Sequence, residues 1–392
     1  MNKFFLDLGK QPLANNYLNF FKKNQIKYNL KLFFNTKNKM VSISKRIPSE
    51  KMFTNNYPYR SSMSKTMRIS FNKLSTEIKK RFNPKNILEI GSNDGALIRN
   101  FDKKKVIGIE ACNNLAKITS KMGFLTYNKY WNYDLAKKLK KKHGEIDLIY
   151  SANTLTHISN LKDVFKSISY LLSKNGILIV EDPSLLECIK KTSYDQFYNE
   201  HIYLFSVISV TNFIKKYNLE IFDIKNLDTH GGSIRYYIKN IDNNKIKVLN
   251  NVKKQFQKEK KFGLGKLSTY KKFAKKVQLS KVKLLNILES LESKNKNVIG
   301  YGATAKAVTI LNYCGINKNL IKSFVDTTPE KINQYMPGKN IKILKYKTNS
   351  LQTVDYAFLG AWNFKKEISN KEKKFLKKGG KFITHVPFPK IL

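Results

Sequence analysis

Cysteine is scarce: Cys112, Cys188 and Cys314 are the only three in 392 residues, and no two form a Cys-x-x-Cys pair. That excludes a disulfide framework and a thiolate zinc site, and it predicts a reducing compartment, with the cytoplasm as the expected location. Long apolar runs are missing as well. None approaches the roughly 18 residues that cross a bilayer, so no membrane span is expected. The opening Met1-Asn2-Lys3-Phe4-Phe5-Leu6-Asp7 puts an acid where a secretion signal would continue its apolar stretch, which argues against a cleavable signal. Acids are few: 28 Asp and Glu face 74 Lys and Arg, for a formal net charge of +46.

A basic excess of this size is one signature of a nucleic-acid partner. Its distribution argues otherwise. Runs such as Lys103-Lys104-Lys105 and Lys137-Lys138 are spread along the whole chain, with no arginine-rich arm and no basic stripe interleaved with aromatics. No nucleic acid is therefore expected as partner. The general field favours an anionic small molecule, a diphosphate included.

What is present is hydrophobic patterning, in four segments. Residues 1–70 carry short, irregular apolar runs and turn signals such as Asn55-Asn56-Tyr57-Pro58. Across 71–248, strand-like runs alternate with helical patterns: Asn86–Ile90, Val106–Ile109, Ile146–Tyr150 and Gly176–Val180. Such alternation predicts an α/β fold with a mostly parallel sheet. Residues 249–293 read as a lysine-rich helical connector, with Phe273, Val277, Leu284, Leu288 and Leu291 on one apolar stripe. A second βα series fills 294–392, a second Rossmann-like unit.

Two loops carry chemistry. Glu89-Ile90-Gly91-Ser92-Asn93-Asp94-Gly95 follows a strand, and the next strand ends at Glu110. Glycines permit a tight turn and a close approach to ligand, and a terminal carboxylate can accept both hydroxyls of a ribose. The spacing Glu-x-Gly-x-x-x-Gly is similar to the S-adenosylmethionine site of class I methyltransferases, not to a pyrophosphate fingerprint. Glu89, Gly91, Ser92, Asn93, Gly95, Glu110 and, after the fourth strand, Asn153 are thus the expected cofactor contacts. The other loop, Gly300-x-Gly302-x-x-Ala305 followed by Asp326, reads by itself as a dinucleotide site.

Histidine is also rare, with five in the chain, and one sits in Tyr198-Asn199-Glu200-His201. A phenol, a carboxylate and an imidazole within four positions suit proton transfer near neutral pH. His157 follows the Asn153 loop, and His230-Gly231-Gly232-Ser233 precedes Arg235.

These segments together resemble the sugar C-methyltransferases of deoxysugar biosynthesis over nearly the full length. The resemblance is carried by Asp7–Asn15, Tyr57–Ser64, Tyr198–His201, His230–Ser233, Gly300–Lys306 and Tyr335-Met336-Pro337-Gly338. It implies S-adenosylmethionine as cofactor and a nucleotide-diphosphate-linked keto-sugar as substrate, methylated on carbon. It implies a class I methyltransferase Rossmann-like domain, a second C-terminal Rossmann-like domain and a small N-terminal segment. On this reading His201 is the general base that forms an enolate and Glu200 orients it or its partner. Tyr198 stabilises the enolate, and His157 holds the sugar or relays a proton. Tyr59, Ser62, His230, Arg235, Gly302 and Lys306 would bind substrate.

The chain departs from that family twice. The N-terminal zinc module's second Cys-x-x-Cys pair is replaced by Asn35-Thr36-Lys37-Asn38, and the chain begins past the place of the first, so no metal is expected and packing must hold the segment. Asn199 stands where the family has a histidine. Two other activities stay open: a nicotinamide oxidoreductase using the Gly302 loop, and an RNA methyltransferase.

Overall fold

The computed structural model describes residues 1–44 and 47–392. Ten strands lie in the first two-thirds of the chain outside a short link: β1 (Asn2–Gln11), β2 (Tyr28–Asn35), β3 (Val41–Ile43), β4 (Ile87–Ile90), β5 (Val106–Ile109), β6 (Leu125–Tyr127), β7 (Ile146–Ala152), β8 (Leu172–Pro183), then β10 (Leu219–Leu227) and β11 (Ser233–Asn240), the link being β9 (Tyr203–Leu204). Seven of them form one sheet in the order β10-β11-β8-β7-β4-β5-β6. β4, β5, β6, β7 and β8 run parallel, and β11 is antiparallel to both its neighbours. Counted along the chain this is 3-2-1-4-5-7-6 with the seventh strand reversed, the class I methyltransferase sheet.

The central strands are apolar because helices cover both faces: β4 and β5 are buried at every position. The helix Lys65–Arg81 opens this unit. Ser64 caps it by accepting from the Met67 amide, and Met67, Phe71, Leu74 and Ile78 supply the stripe that packs on the sheet. The chain runs outward from β4 to β5 and β6, then returns to β7 on the opposite side. Beyond the carboxyl ends of β4 and β7 this leaves a crevice, where ligands bind in open α/β sheets.

The second unit repeats the plan with β12 (Val298–Tyr301), β13 (Phe324–Asp326), β14 (Ile343–Lys345), β15 (Tyr356–Leu359), β16 (Lys381–Thr384) and β17 (Lys390–Ile391). Their order is β14-β13-β12-β15-β16-β17, parallel except for β17. Two helices join the units, Asn250–Phe262 and Leu267–Ser293, and Gly263 at φ +92° ends the first. Along the longer one Tyr270, Phe273, Val277, Leu284, Leu288 and Leu291 are buried while its lysines face solvent.

The N-terminal segment is more regular than its sequence suggests. β1, β2 and β3 form an antiparallel sheet that recruits β9 from the methyltransferase unit. Leu8, Leu30, Leu32 and Val41 are fully buried, and Phe34 stacks on Tyr270 with centroids 4.7 Å apart. Asn35-Thr36-Lys37-Asn38 closes the β2–β3 hairpin as a turn in which Asn35 Oδ1 accepts from the Lys37 and Asn38 amides. Side-chain hydrogen bonding does here what a metal knuckle would do. Among the described residues no group of three or more His, Cys, Asp or Glu could hold a metal ion.

Candidate active site

The crevice above β4 opens into a cavity of about 680 Å³ that runs between the two α/β units. Its wall on the first unit is built from the Gly91 loop. Gly91 has φ +77°, and a Cβ there would overlap the Thr154 side chain, so only glycine lets the two loops meet. Gly91 and Ser92 both donate backbone N–H groups to the Ile109 carbonyl. Glu110 directly follows β5 and is held rigidly: Oε2 accepts from the Asn93 amide at 2.8 Å, Oε1 from the Cys112 amide at 2.8 Å. Burial raises its pKa while these donors oppose the rise. Each oxygen keeps lone-pair capacity for a further donor.

Glu89, Gly91, Ser92, Asn93, Glu110 and Asn153 all line the cavity. Ser92 Oγ and Glu89 Oε2 are buried without a partner. Burial, and then Glu110 and Asp94, push Glu89 well above the carboxylate range. A backbone cradle that a Cβ would fill, orphaned polar atoms and a ribose-type acid fit the adenosyl and amino-acid parts of S-adenosylmethionine. Gly95 does not line the cavity. It packs the loop against the helix Asn113–Lys121 that comes after β5, where a Cβ would stand 2.9 Å from Thr119.

A second cluster on the cavity surface carries the imidazoles. His157 and His201 stack with centroids 5.0 Å apart, Phe53 continues the stack at 5.7 Å from His157, and Tyr198 lies 3.9 Å from His201. His201 Nδ1 is 2.7 Å from the Gln196 carbonyl, which can only accept, so the ring proton resides on Nδ1. Nε2 is then the basic nitrogen, and it receives the Tyr198 hydroxyl. Burial, with help from His157, holds His201 well below the usual imidazole range. Burial alone takes His157 to about 4, and its Nε2 is buried and unpartnered.

Three expectations are corrected. Glu200 does not orient His201 and is not on the cavity surface: its oxygens accept from Asn15 Nδ2 at 2.9 Å and from the Tyr57 hydroxyl at 2.7 Å. Burial raises it to about 7 against those donors. Arg235 does not face substrate. It is 2% exposed and spends its guanidinium on Glu181 at 2.9 and 3.0 Å, because β11 turns that side chain under the sheet. Ser62 lies behind the wall, with its amide and hydroxyl both bound to Asp94.

Tyr59, His230, Gly302 and Lys306 do line the cavity. His230 sits at φ +53°; burial, then Lys306, lowers its pKa to about 3. Lys306 is 8% exposed, reaches the His230 carbonyl at 3.3 Å and lies over the Trp362 ring. Burial lowers its pKa while Asp195 opposes, and it forms no ion pair among the described residues. The Gly302 loop mirrors the Gly91 loop. Gly302 N–H donates to Val325 O, and Asp326 accepts from the Ala303 amide at 2.7 Å and the Thr328 amide at 2.8 Å.

Reading the sequence alone missed Asn15, Tyr57, Trp131 and Gln196 as cavity residues, whereas Asp326, singled out with the Gly302 loop, does line the cavity. Asn15 and Tyr57 stand inside the motifs that carried the resemblance, which was the available signal. Gln196 and Trp131 had none.

A methyltransferase-domain model matches residues 59–224, and a model of the C-methyltransferase C-terminal domain matches residues 228–387. Together they give the chain the two parts of an S-adenosylmethionine-dependent C-methyltransferase, a methyltransferase domain and a C-methyltransferase C-terminal domain. The C-methyltransferase NovU of Streptomyces niveus is 29% identical over 308 residues, which cover 78% of this chain and 73% of NovU. Two solved methyltransferases show fainter likeness. The S-adenosylmethionine-dependent enzyme of Clostridium acetobutylicum is 14% identical over 44% of this chain and 91% of its own, with a TM-score of 0.34. That of Anabaena variabilis is 17% identical over 49% and 91%, with a TM-score of 0.38. In this C-methyltransferase no helix among the described residues is long and apolar enough to cross a membrane.

Proposed function

We propose that this C-methyltransferase methylates the carbon next to the ketone of a nucleotide-diphosphate-linked keto-sugar. The observation that carries this reading is the shared cavity. The cofactor loop, the His201 imidazole and the Gly302 loop of the second unit all open into it. Bound over the Gly91 loop, S-adenosylmethionine supplies an electrophilic methyl group. Carbon needs activation to meet it, and the ketone makes the neighbouring C–H acidic.

His201 takes that proton on Nε2, the nitrogen left basic by the Gln196 carbonyl. A neutral imidazole is ready at physiological pH because burial disfavours its cation. When substrate occupies Nε2, the Tyr198 hydroxyl is released and donates to the developing enolate oxygen, where stabilisation grows with the charge. His157 stacks behind His201 as a neutral plate that fixes its plane. Glu110 accepts the ribose hydroxyls of the cofactor.

On the other side, Lys306 meets a diphosphate oxygen, with His230 alongside, and Asp326 and Gly302 receive the nucleoside. A buried ammonium with no ion pair among the described residues supports this assignment. Asn199 leaves the chemistry intact, since its amide serves the backbone: Nδ2 donates to the Pro12 carbonyl at 3.1 Å. The three buried, unpaired thiols fit a reaction in the reducing cytoplasm. Calorimetry tests the ligand assignment. S-adenosylmethionine and a nucleotide keto-sugar should each bind, and binding of NAD instead would overturn it.

A further inference from the structure

Residues 1–44 reach the site through a single side chain. Asn15 lines the cavity, 185 residues in sequence from its main partner. Its amide nitrogen lies 2.9 Å from both oxygens of Glu200 and 3.2 Å from the Tyr57 hydroxyl. Both amide hydrogens are consumed in this way, because a carboxylate only accepts and the Tyr57 hydroxyl gives its own hydrogen to Glu200 at 2.7 Å. The orientation of the amide is therefore fixed. Its Oδ1 has no partner among the described residues, and it remains for the cavity.

The surrounding contacts leave little freedom to this arrangement. Pro12 O holds Asn199, β3 pairs with Tyr203 and Leu204, and Tyr17 donates its hydroxyl to the Ala303 carbonyl at 2.7 Å. One short stretch thus grips the catalytic run and the glycine loop of the second unit together. Glu200 is the buried anchor: its neighbours are Asn15 and the phenols of Tyr57, Tyr17 and Tyr198, with Cys112 beyond, and no cation among the described residues faces it.

We infer that Asn15 is a substrate-positioning residue whose amide oxygen accepts a hydrogen bond from a hydroxyl of the sugar ring. This rests on the keto-sugar reading above and names what that reading leaves open, a specificity contact delivered by the N-terminal segment. An oxygen held as a pure acceptor discriminates against a ring that lacks the matching hydroxyl, because the acceptor, shut off from water by the bound sugar, would stay unpaired. Glu200 acts one step back, by fixing which end of the amide faces the sugar.

The test uses full-length wild type, Asn15→Ala and Asn15→Ser with a nucleotide keto-sugar and its mono-deoxy analogues. Asn15→Ala should raise KM for the sugar about 3- to 10-fold, the loss of one neutral hydrogen bond, with the S-adenosylmethionine Kd unchanged. One deoxy analogue should cost wild type a similar factor and cost Asn15→Ala nothing further. Asn15→Ser, which keeps an acceptor, should restore part of the discrimination and guards against a folding artefact. Additive penalties for every analogue, or an unchanged KM in Asn15→Ala, would overturn the inference while leaving the methyltransferase reading in place. A wild type that methylates no keto-sugar overturns that reading and this inference with it.

Discussion

His201 Nδ1 stands 2.7 Å from the carbonyl oxygen of Gln196, and that contact decides which nitrogen of the ring can act as a base. Replacing the ring removes the acceptor without touching the cofactor loop. His201→Asn should therefore lower kcat by at least about a hundredfold. Its S-adenosylmethionine affinity, measured by calorimetry, should match wild type. An unchanged kcat would remove His201 from its role.

The pH profile should single out Glu200. Burial lifts that carboxyl to about 7, whereas it drives His201 well below the usual imidazole range. The ionised carboxylate is the form that accepts from Asn15 and Tyr57, so the network loses its anchor as pH falls through 7. The acid limb of kcat/KM should accordingly lie near 7 and vanish in Glu200→Gln. A limb that persists in that variant would assign it to another group.

Cofactor binding should depend on two features of the first loop. Glu110→Ala removes an acceptor that also fastens the Asn93 and Cys112 amides, and it should weaken S-adenosylmethionine binding roughly 10- to 100-fold, a cost of about 1.4–3 kcal/mol. Gly91→Ala puts a side chain at φ +77° against Thr154, with a cost of about 1–3 kcal/mol in stability as well as the loss of binding. Thermal melts and calorimetry separate the two effects.

Arg235 and Lys306 should respond in opposite ways. Arg235→Leu strands the buried Glu181 carboxylate and should destabilise the fold by about 3–5 kcal/mol, seen as a lowered denaturation midpoint. Lys306→Met removes a buried charge with no ion pair among the described residues, so stability should hold while KM for the nucleotide sugar rises. A stable Arg235→Leu with impaired sugar binding would reverse the correction made above.

Much of this was legible in the sequence. Apolar runs bounded by turns marked β4, β5, β7 and β8, and again β12, β13, β15 and β16, because parallel strands buried on both faces have to be apolar throughout. The Gly91 loop and Glu110 were found from spacing, since a positive φ and a terminal acid leave a local trace. The N-terminal sheet escaped, because one of its four strands is β9, some 160 residues downstream of β3. Glu200 and Arg235 were assigned by proximity to the motifs that hold them. Which way a side chain points depends on the pleat and on distant partners, and neither Asn15 nor Glu181 could be matched to them from one dimension.

The central claim is transfer of a methyl group to carbon beside a ketone, and isotope-labelled product analysis tests it most directly. Incubation with carbon-13-methyl S-adenosylmethionine and a nucleotide-linked keto-sugar, followed by NMR, should show the label bonded to ring carbon adjacent to the carbonyl, with that carbon's hydrogen lost to solvent. Label on oxygen or nitrogen of the same sugar, or label found only on RNA, would contradict it.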